Sequence, residues 1–593
     1  MLYGGSRPWY GGVKRVINFD VLRQLLGDNA VEDAPEAYEF NWVGKQAARA
    51  EVLEPIKKTL RPVKEDSVDW DNTQNLYIEG DNLKVLKLLQ KSYLGKVKMI
   101  YIDPPYNTGN DFVYHDDFAM SADEYAEASG SVDELGNKYI KNMDSNGRFH
   151  SDWCSMMYSR LMVARTLLTE DGVIFISIDD NEVENLRKIC DQIFGEENFI
   201  SQICWRRTDN QPNIGYFARV KEYILLYSKH KTFSLGRLPL SEKAKAEYRY
   251  KDAKGMFRRA ILLDKTRGRK FYSKKTKLGT ILNGPWMVSE EVFDKMDANG
   301  DIYWTESGDG QPYGKIYLSE SKGQIPCDFW GIEFGTNQRG SLEVEKLFGK
   351  RLFDFPKPMT LLYNLCMIGS GKDSIILDFF SGSGTTAHAV MQLNAEDGGN
   401  RKFIMVQLPE ETPEDSEARK AGYNTIPEIA RERIRRAGKK IKEESPLTTA
   451  DLDTGFRVFR LDEGNYEDVN RSPKEFKQDQ LDLFLNNIKT DRNDLDLLFG
   501  CMLDWGVQLS LPMTQEVVDG KTIYTVNDGD LVACFAENVS EDVVKAMAEK
   551  MPLRVIFRDS CFAQDADKIN IYETFKQKLD WSDQEVVKNI RVI

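Results

Sequence analysis

The chain has 593 residues, and this length predicts three or four domains of about 150 residues each. Its hydrophobic content of 41% is ordinary for globular proteins, and its formal net charge is −14 at pH 7. No apolar run approaches the roughly 18 residues of a membrane span, and the N-terminus lacks the pattern of a secretory signal. Eight scattered cysteines without a C-x-x-C pair and four separated histidines disfavour a disulfide framework and a metal site, and favour the reducing cytoplasm.

The first elements are predicted between residues 1 and 100. Residues 1–72 indicate an N-terminal arm or cover with a helical stretch at 44–60. Residues 75–80 indicate a strand that ends at Asp81 and Asn82, and a helix follows at 83–89. An Asp or Asn just before a helix is the usual N-cap.

Residues 98–106 combine an apolar strand with the turn Asp103, Pro104, Pro105 and Tyr106. Ligands bind at the carboxyl ends of strands in open α/β sheets. This turn suits a flat ring that bears an amine, because Asp103 and the Pro104 carbonyl can each accept one N–H while Tyr106 offers a stacking face. The alternative is a plain tight turn, since Pro-Pro excludes helix.

The next segment alternates between helix and strand. Polar residues 107–111 and an acidic segment at 117–149 are predicted to form mobile loops. A helix at 152–168, a strand at 173–178 and a strand at 223–227 follow. Continuous apolar strands that alternate with helices indicate a mostly parallel sheet.

Residues 241–280 carry 14 Lys or Arg against four acids, with five Tyr or Phe interleaved. Such a mixture suits contacts to nucleic-acid phosphates and bases. A solvated charged surface is the alternative. The candidate contacts to DNA are Arg258, Arg259, Lys265, Arg267, Arg269 and Lys270.

A second turn lies about 275 residues after Asp103. An apolar strand at 374–378 runs into Gly382 and Gly384, and a helix then begins at Thr385. The glycines permit positive φ and a close approach of a ligand to the backbone, and the helix start offers free N–H groups. The spacing fits neither a dinucleotide turn nor a P-loop.

Three features complete the chain. A strand at 401–408 ends near Gln407 and Glu410. A basic helix at 426–442 is predicted to present a solvated face, and residues 451–593 are predicted to form a separate module of mixed charge.

Together, the D-P-P-Y turn at 103–106 and the later F-x-G-x-G turn at 380–384 make the chain resemble the β-class DNA amino-methyltransferases. Its overall pattern is similar to that of the modification subunits of type III restriction–modification systems. The resemblance implies an α/β, Rossmann-like methyltransferase core that depends on S-adenosylmethionine and is circularly permuted, with an inserted target-recognition domain and a C-terminal α+β module.

The resemblance also implies domain bounds. These are an N-terminal arm (1–72), a catalytic half (73–231), a target-recognition domain (232–345), a cofactor half (346–450) and a C-terminal interaction module (451–593).

Residue roles follow from the same resemblance. Asp103, Pro104, Pro105 and Tyr106 are the expected catalytic residues. The expected cofactor contacts are Asp81, Asn82, Asp103, Lys357, Asp378, Phe380, Ser381, Gly382, Ser383, Gly384, Thr385 and Thr386. Lys357 is equally compatible with an ordinary surface lysine, and the ribose ligand is left open between Gln407 and Glu410.

The implied activity is methyl transfer from S-adenosylmethionine to the N6 amine of a flipped adenine in double-stranded DNA. The alternatives are methylation of cytosine N4, or a non-catalytic recognition or scaffold subunit for a partner nuclease. The expected partners are a second copy in a homodimer and a restriction subunit. The expected location is the cytoplasm, with no membrane contact and no metal.

Overall fold

A computed structural model of the chain describes residues 39–108, 149–213, 215–467, 487–562 and 564–593. It also gives the backbone of four short strands, which are β1 (Tyr3–Gly4), β2 (Val16–Ile17), β6 (Phe112–Tyr114) and β7 (Tyr139–Lys141). Apart from these strands, the predicted N-terminal arm up to residue 38 and the predicted loops at 109–111 and 117–148 lie outside the described residues.

Ten strands form a central sheet. In sheet order they are β17 (Phe329–Trp330), β9 (Phe199–Arg206), β10 (Lys221–Ser228), β8 (Leu168–Ile178), β5 (Val97–Ile102), β18 (Ile375–Asp378), β19 (Lys402–Gln407), β4 (Leu76–Glu79), β20 (Arg457–Glu463) and β3 (Lys58–Pro62). The strands from β8 to β20 are all parallel, which confirms the predicted α/β sheet. β10 and β3 run antiparallel to their neighbours.

The order of these strands brings distant parts of the chain together. β5 pairs with β18, with Met99 beside Ile376 and Ile100 beside Leu377. β18 and β19 come late in the chain but lie between β4 and β5. This is the permuted arrangement that the sequence implied. It places Asp103 and the glycine-bearing turn (residues 380–384) directly after neighbouring parallel strands, at the same edge of the sheet.

Helices cover both faces of the sheet, which explains why its central strands β5, β18 and β19 are mostly apolar. One face carries α1 (Lys45–Leu53), α2 (Asn82–Tyr93), α3 (Phe149–Leu167), α4 (Val183–Phe194) and α12 (Asp494–Trp505). The other carries α8 (Met359–Gly369), α9 (Thr385–Asp397) and α11 (Ile426–Glu444). The helix predicted at 44–60 ends at Leu53, because residues 58–62 pair with β20 as strand β3.

The inserted segment forms a four-stranded sheet and a two-stranded sheet, with its own core around the fully buried Trp286. Its elements are α5 (Glu242–Ala246), β11 (Tyr250–Asp252), β12 (Gly255–Ile261), β13 (Ser273–Lys275), β14 (Ile281–Asn283), α6 (Glu290–Ala298), β15 (Ile302–Trp304) and β16 (Pro312–Tyr317). Before residue 345 the chain returns to the central sheet, since β17 pairs with β9 and α7 (Asn337–Phe348) contacts α11.

The C-terminal residues form a five-stranded sheet whose core merges with that of the central sheet. Its elements are β21 (Met513–Val518), β22 (Lys521–Val526), β23 (Leu531–Cys534), α13 (Glu541–Glu549), β24 (Val555–Phe557), α14 (Asp565–Leu579), α15 (Asp583–Asn589) and β25 (Ile590–Val592). The short α10 (Glu417–Lys420) precedes α11. Within the part of the chain that the structure describes, no helix is long and apolar enough to cross a membrane.

Candidate active site

Asp103 leaves the carboxyl end of β5 and meets a lysine from far along the chain. The Lys357 Nζ donates to both carboxylate oxygens of Asp103, at 2.9 and 2.8 Å. The Tyr106 hydroxyl donates to Asp103 Oδ1 at 2.8 Å and accepts from Lys357 Nζ at 2.9 Å. Lys357 is only 8% exposed, so its interpretation as a surface lysine is wrong. A buried ammonium requires such partners.

A fourth member of this group, Glu222, was missed by sequence reasoning. It lies at the start of β10 and is 3% exposed. Its Oε2 lies 3.2 Å from the Tyr106 hydroxyl, as an alternative acceptor to Asp103 for the single hydroxyl proton, and 3.5 Å from Lys357 Nζ. Its Oε1 lies 3.5 Å from Arg207 Nη1. The sequence did contain a signal, because Glu222 directly precedes the apolar residues 223–227, where a buried strand would not be expected to begin with a carboxylate.

We call Asp103, Tyr106, Glu222 and Lys357 the acid–lysine cluster. Burial lowers the pKa of Lys357, but the carboxylates of Asp103 and Glu222 outweigh this effect, so the pKa lies above its usual value. Burial raises the pKa of Tyr106 well above its usual value, and the two carboxylates raise it further. The cluster therefore holds a charged lysine and a neutral tyrosine hydroxyl.

Side chains from other parts of the chain fix the turn that carries Asp103. The Pro105 carbonyl accepts the indole N–H of Trp153 at 2.8 Å. Asn107 adopts the left-handed region with φ of 59°, and its side chain donates to Glu182 at 2.6 Å. These contacts to α3 and to the N-cap residue of α4 fix the direction in which Asp103 points.

The glycine-bearing turn crosses the end of β18. Asp378 is buried, and its two carboxylate oxygens accept from the Phe380 N–H at 3.1 Å and from the Thr386 hydroxyl at 2.5 Å. Burial raises the pKa of Asp378 to about 7. Gly382 has φ of 48° and donates its N–H to the Gln407 Oε1 at 2.7 Å, and Gly384 has φ of 76° where α9 begins. Both glycines thus have the conformations that their positions predicted.

Arg433 of α11 hydrogen-bonds to side chains of the glycine-bearing turn. Its guanidinium is fully buried and donates to Ser383 Oγ at 2.7 Å and to Thr385 Oγ1 at 2.6 Å. The Thr385 hydroxyl in turn donates to the Lys357 carbonyl at 3.2 Å. Lys357 therefore joins the two predicted motifs, with its backbone on one and its ammonium on the other.

The basic helix was predicted to present a solvated face, and this is wrong for two of its arginines. Arg431 is 5% exposed and Arg433 is completely buried. Lys439 and Lys440, near the end of the helix, are exposed as predicted.

The first helix after β4 begins beside the glycine-bearing turn. Asp81 accepts the Lys84 N–H at 2.9 Å and is the N-cap of α2, which is one of the two alternatives the sequence left open. Asn82 donates to the Phe379 carbonyl at 3.1 Å, and the buried Arg160 contacts both side chains. Contacts of Asp81 and Asn82 with a cofactor stay a prediction, as does the choice of Gln407 or Glu410 for a ribose.

The predicted DNA contacts fall into two groups. Arg258 and Arg259 of β12 line a cavity of about 440 Å³, together with Lys243, Ala246, Glu247, Arg249, Tyr250 and Tyr313. The Arg259 guanidinium lies 4.6 Å from the centre of the Tyr250 ring and 4.8 Å from that of Tyr313. Lys265, Arg267, Arg269 and Lys270 are exposed after β12 and do not line this cavity.

Comparison with known proteins places these features in a family. The family model described as DNA methylase matches residues 97–418. The Mod subunit of the type III restriction–modification enzyme StyLTI of Salmonella typhimurium is 38% identical over 75% of this chain and 69% of that protein. The EcoPI Mod subunit of Escherichia phage P1 and the EcoP15I Mod subunit of Escherichia coli are 33% and 30% identical, each over 94% of this chain and 92% of the relative.

Proposed function

This chain belongs to the DNA methylase family, and from that premise we propose that it transfers a methyl group from S-adenosylmethionine to the exocyclic N6 amine of adenine in DNA. We propose further that it acts as the modification subunit of a type III restriction–modification system. Its similarity to Mod subunits over nearly its whole length supports this role. One structural observation carries the chemistry, namely the parallel pairing of β5 with β18.

The residues at this edge fit S-adenosylmethionine. That group would supply an electrophilic methyl on a positively charged sulfonium. Gly382 and Gly384 permit close approach to the backbone, and the start of α9 has no side-chain cap on its N–H groups. The proposed cofactor contacts at 378–386 line the same edge.

The amine of adenine is a poor nucleophile, because its lone pair is delocalised into the ring. Asp103 would accept one N–H of that amine and the Pro104 carbonyl the other, which directs the lone pair toward the methyl group. A carboxylate has about four acceptor sites, so Asp103 can accept an amine while it keeps Lys357. Its side chain is 27% exposed and thus within reach of a ligand. The remaining contribution is positioning and electrostatic stabilisation.

The target atom is not accessible inside a duplex, so the base has to be flipped out of the stack. Tyr106 would offer its ring to the flipped base. Unstacking costs a few kcal/mol, and phosphate contacts from the inserted sheet would offset this cost. Arg258, Arg259 and the exposed residues Lys265, Arg267, Arg269 and Lys270 are the proposed contacts.

The partners follow from the proposed system. We propose double-stranded DNA as the substrate, a restriction subunit as the partner, a homodimer as the assembly and the cytoplasm as the location. Each of these extends the family assignment.

Transfer of a radiolabelled methyl group from S-adenosylmethionine to duplex DNA tests the activity. The wild-type chain is expected to label DNA and Asp103→Ala to lose at least about a hundredfold in rate, since the lost contact acts in the transition state. Asp354→Ala is the matched control, because this carboxylate is 84% exposed and three residues from Lys357. Equal labelling by Asp103→Ala would remove Asp103 from its role.

Mass spectrometry of the labelled nucleoside decides between the target atoms. N6-methyladenine is the expected product. N4-methylcytosine would overturn the adenine assignment, and a chain that binds DNA without labelling it would be a recognition subunit.

A further inference from the structure

We propose that Glu222 is the terminal acceptor of the proton released by methyl transfer, and that the Tyr106 hydroxyl relays this proton from Asp103. This inference rests on the proposed function and assigns a role to a residue outside both motifs. It is carried by the hydrogen bonds of the acid–lysine cluster.

The reaction must release a proton. Methylation of an amine forms one N–C bond with the nitrogen lone pair and breaks one C–S bond, whose electrons stay on sulfur. The sulfonium charge then resides on nitrogen, and the nitrogen loses one N–H proton to become neutral. Asp103 is the acid that accepts this N–H, so the proton passes first to its carboxylate.

Asp103 is poorly suited to keep the proton. Its two oxygens face the Lys357 ammonium at 2.9 and 2.8 Å, and a neutral carboxylic acid would forfeit that ion pair. The Tyr106 hydroxyl lies 2.8 Å from Asp103 Oδ1 and 3.2 Å from Glu222 Oε2. Once Asp103 carries the proton, it donates to the Tyr106 oxygen, and the Tyr106 O–H turns toward Glu222. Transfer of both protons in one step then leaves Asp103 ionised, Tyr106 protonated and Glu222 neutral.

Glu222 is well placed for this role. It is 3% exposed, so no bulk water competes for the proton during the transfer. Burial raises the pKa of Tyr106 well above its usual value, so the hydroxyl remains protonated and can donate. The second oxygen of Glu222 lies 3.5 Å from Arg207, which lines a cavity of about 490 Å³. Only the Arg207 side chain therefore separates Glu222 from this cavity, through which the proton can reach solvent after the product leaves.

Several charged groups face Glu222. Its carboxylate oxygens lie 3.5 Å from Lys357 Nζ and 3.5 Å from Arg207 Nη1, and Asp103 lies on the other side of the Tyr106 hydroxyl. Tyr101 and Asp179 also lie within electrostatic range, because Glu222 contributes to the raised pKa of each. Both carboxylates of the cluster have to be ionised before transfer begins.

Single-turnover methyl transfer between pH 5.5 and 9 tests the relay. Glu222→Gln keeps the size of the side chain but cannot take a proton. We expect its rate to fall at least about tenfold, at the low end of general-base effects, while the affinities for S-adenosylmethionine and DNA stay within about twofold. The acidic limb of the logarithm of the single-turnover rate constant, plotted against pH, should become shallower, because one group fewer has to be deprotonated.

Chemical rescue supplies a second readout. In Glu222→Ala, added formate is expected to restore part of the rate, because a small carboxylate can occupy the vacated space. Glu345→Ala is the matched control, since Glu345 lines the 490 Å³ cavity and should show neither loss nor rescue. If Glu222→Gln does not fold, Glu222→Asp serves in its place. This variant keeps a negative charge near Lys357 and Arg207, but its shorter side chain moves the carboxylate away from the Tyr106 hydroxyl. We expect its rate of methyl transfer to be lower than that of the wild type.

The outcomes are distinct. Wild-type rates in the Glu222 variants would overturn the relay, and so would a lower rate with an unchanged acidic limb and no rescue by formate, which is the behaviour of a purely structural residue. A wild-type chain that labels no DNA would instead overturn the proposed function itself.

Discussion

The Lys357 ammonium lies 2.8 and 2.9 Å from the two carboxylate oxygens of Asp103, although the residues are 254 positions apart in the chain. The pair lies at the carboxyl edge of the sheet between the D-P-P-Y turn and the glycine-bearing turn. It fixes the orientation of the Asp103 carboxylate before any ligand arrives. A preoriented charge of this kind costs no reorganisation during the reaction.

Replacement of Lys357 tests this pairing. In Lys357→Met, the carboxylates of Asp103 and Glu222 would face each other around Tyr106 without the shared cation, so one of them should bind a proton more tightly. We expect methyl transfer at pH 7 to fall at least about tenfold and its acidic limb to move to higher pH. Initial rates between pH 5.5 and 9 measure both. Lys350→Met, at an exposed position, should match the wild type, and an unshifted limb in Lys357→Met would contradict the pairing.

The two glycines that flank α9 provide a matched pair. Gly384 has φ of 76°, and an added Cβ would lie 3.3 Å from the Ala430 carbonyl oxygen, whereas Gly398 has φ of 65° with nothing within 4 Å. Both Gly→Ala variants should lose about 1 kcal/mol of stability from the left-handed backbone alone.

Only Gly384→Ala should also weaken binding of S-adenosylmethionine, by at least about tenfold, because it lies in the proposed cofactor turn. Isothermal titration with S-adenosylmethionine measures this, and circular dichroism controls for folding. Equal affinities in the two variants would argue that the cofactor does not contact the turn.

Asp378 should make stability depend on pH. Its pKa in the folded chain is raised to about 7 by burial, so the folded state binds a proton more tightly than the unfolded state does. The resulting stabilisation is present at low pH and is lost as pH rises through 7. Between pH 5 and 8, the wild type should therefore lose stability relative to Asp378→Asn, by at most about 3 kcal/mol.

Urea midpoints of both proteins at several pH values measure this difference. Effects from other groups cancel in the comparison. Parallel curves for the wild type and Asp378→Asn would show that this carboxyl does not titrate in the range.

The inserted sheet should govern the salt dependence of DNA binding. Each phosphate contact contributes about 0.9 to the slope of log K against log salt. Joint replacement of Arg258, Arg259, Arg267 and Arg269 by Ala should lower that slope by up to about 3.6. Fluorescence anisotropy of a labelled duplex at graded salt measures it. Lys439→Ala with Lys440→Ala, on the exposed end of α11, should leave the slope unchanged, and an unchanged slope in the first variant would place DNA elsewhere.

Local patterns predicted most elements correctly. The strand before Asp103, the glycine-bearing turn and the helix that follows it all lie where apolar periodicity and turn chemistry placed them. The stretch at 44–60 failed in part, because pairing with β20 makes residues 58–62 a strand. Tertiary contacts override local helix propensity at such positions.

Charged residues were predicted less well than apolar ones. Arg433 was expected in solvent within a basic helix, yet it lies beneath Ser383 and Thr385. Glu222 was not among the predicted site residues, yet it completes the acid–lysine cluster. Whether a charge is buried depends on partners that other parts of the chain supply, and sequence spacing does not reveal those partners.

The sequence by itself determined the chemical groups and the type of each main element, because strand, turn and helix preferences act over a few residues. The tertiary structure alone decided that β18 lies beside β5, that Lys357 reaches Asp103, and that Glu222 stands behind Tyr106. Strand order and the meeting of distant side chains arise from burial of apolar faces across the whole sheet, and no local interaction encodes them.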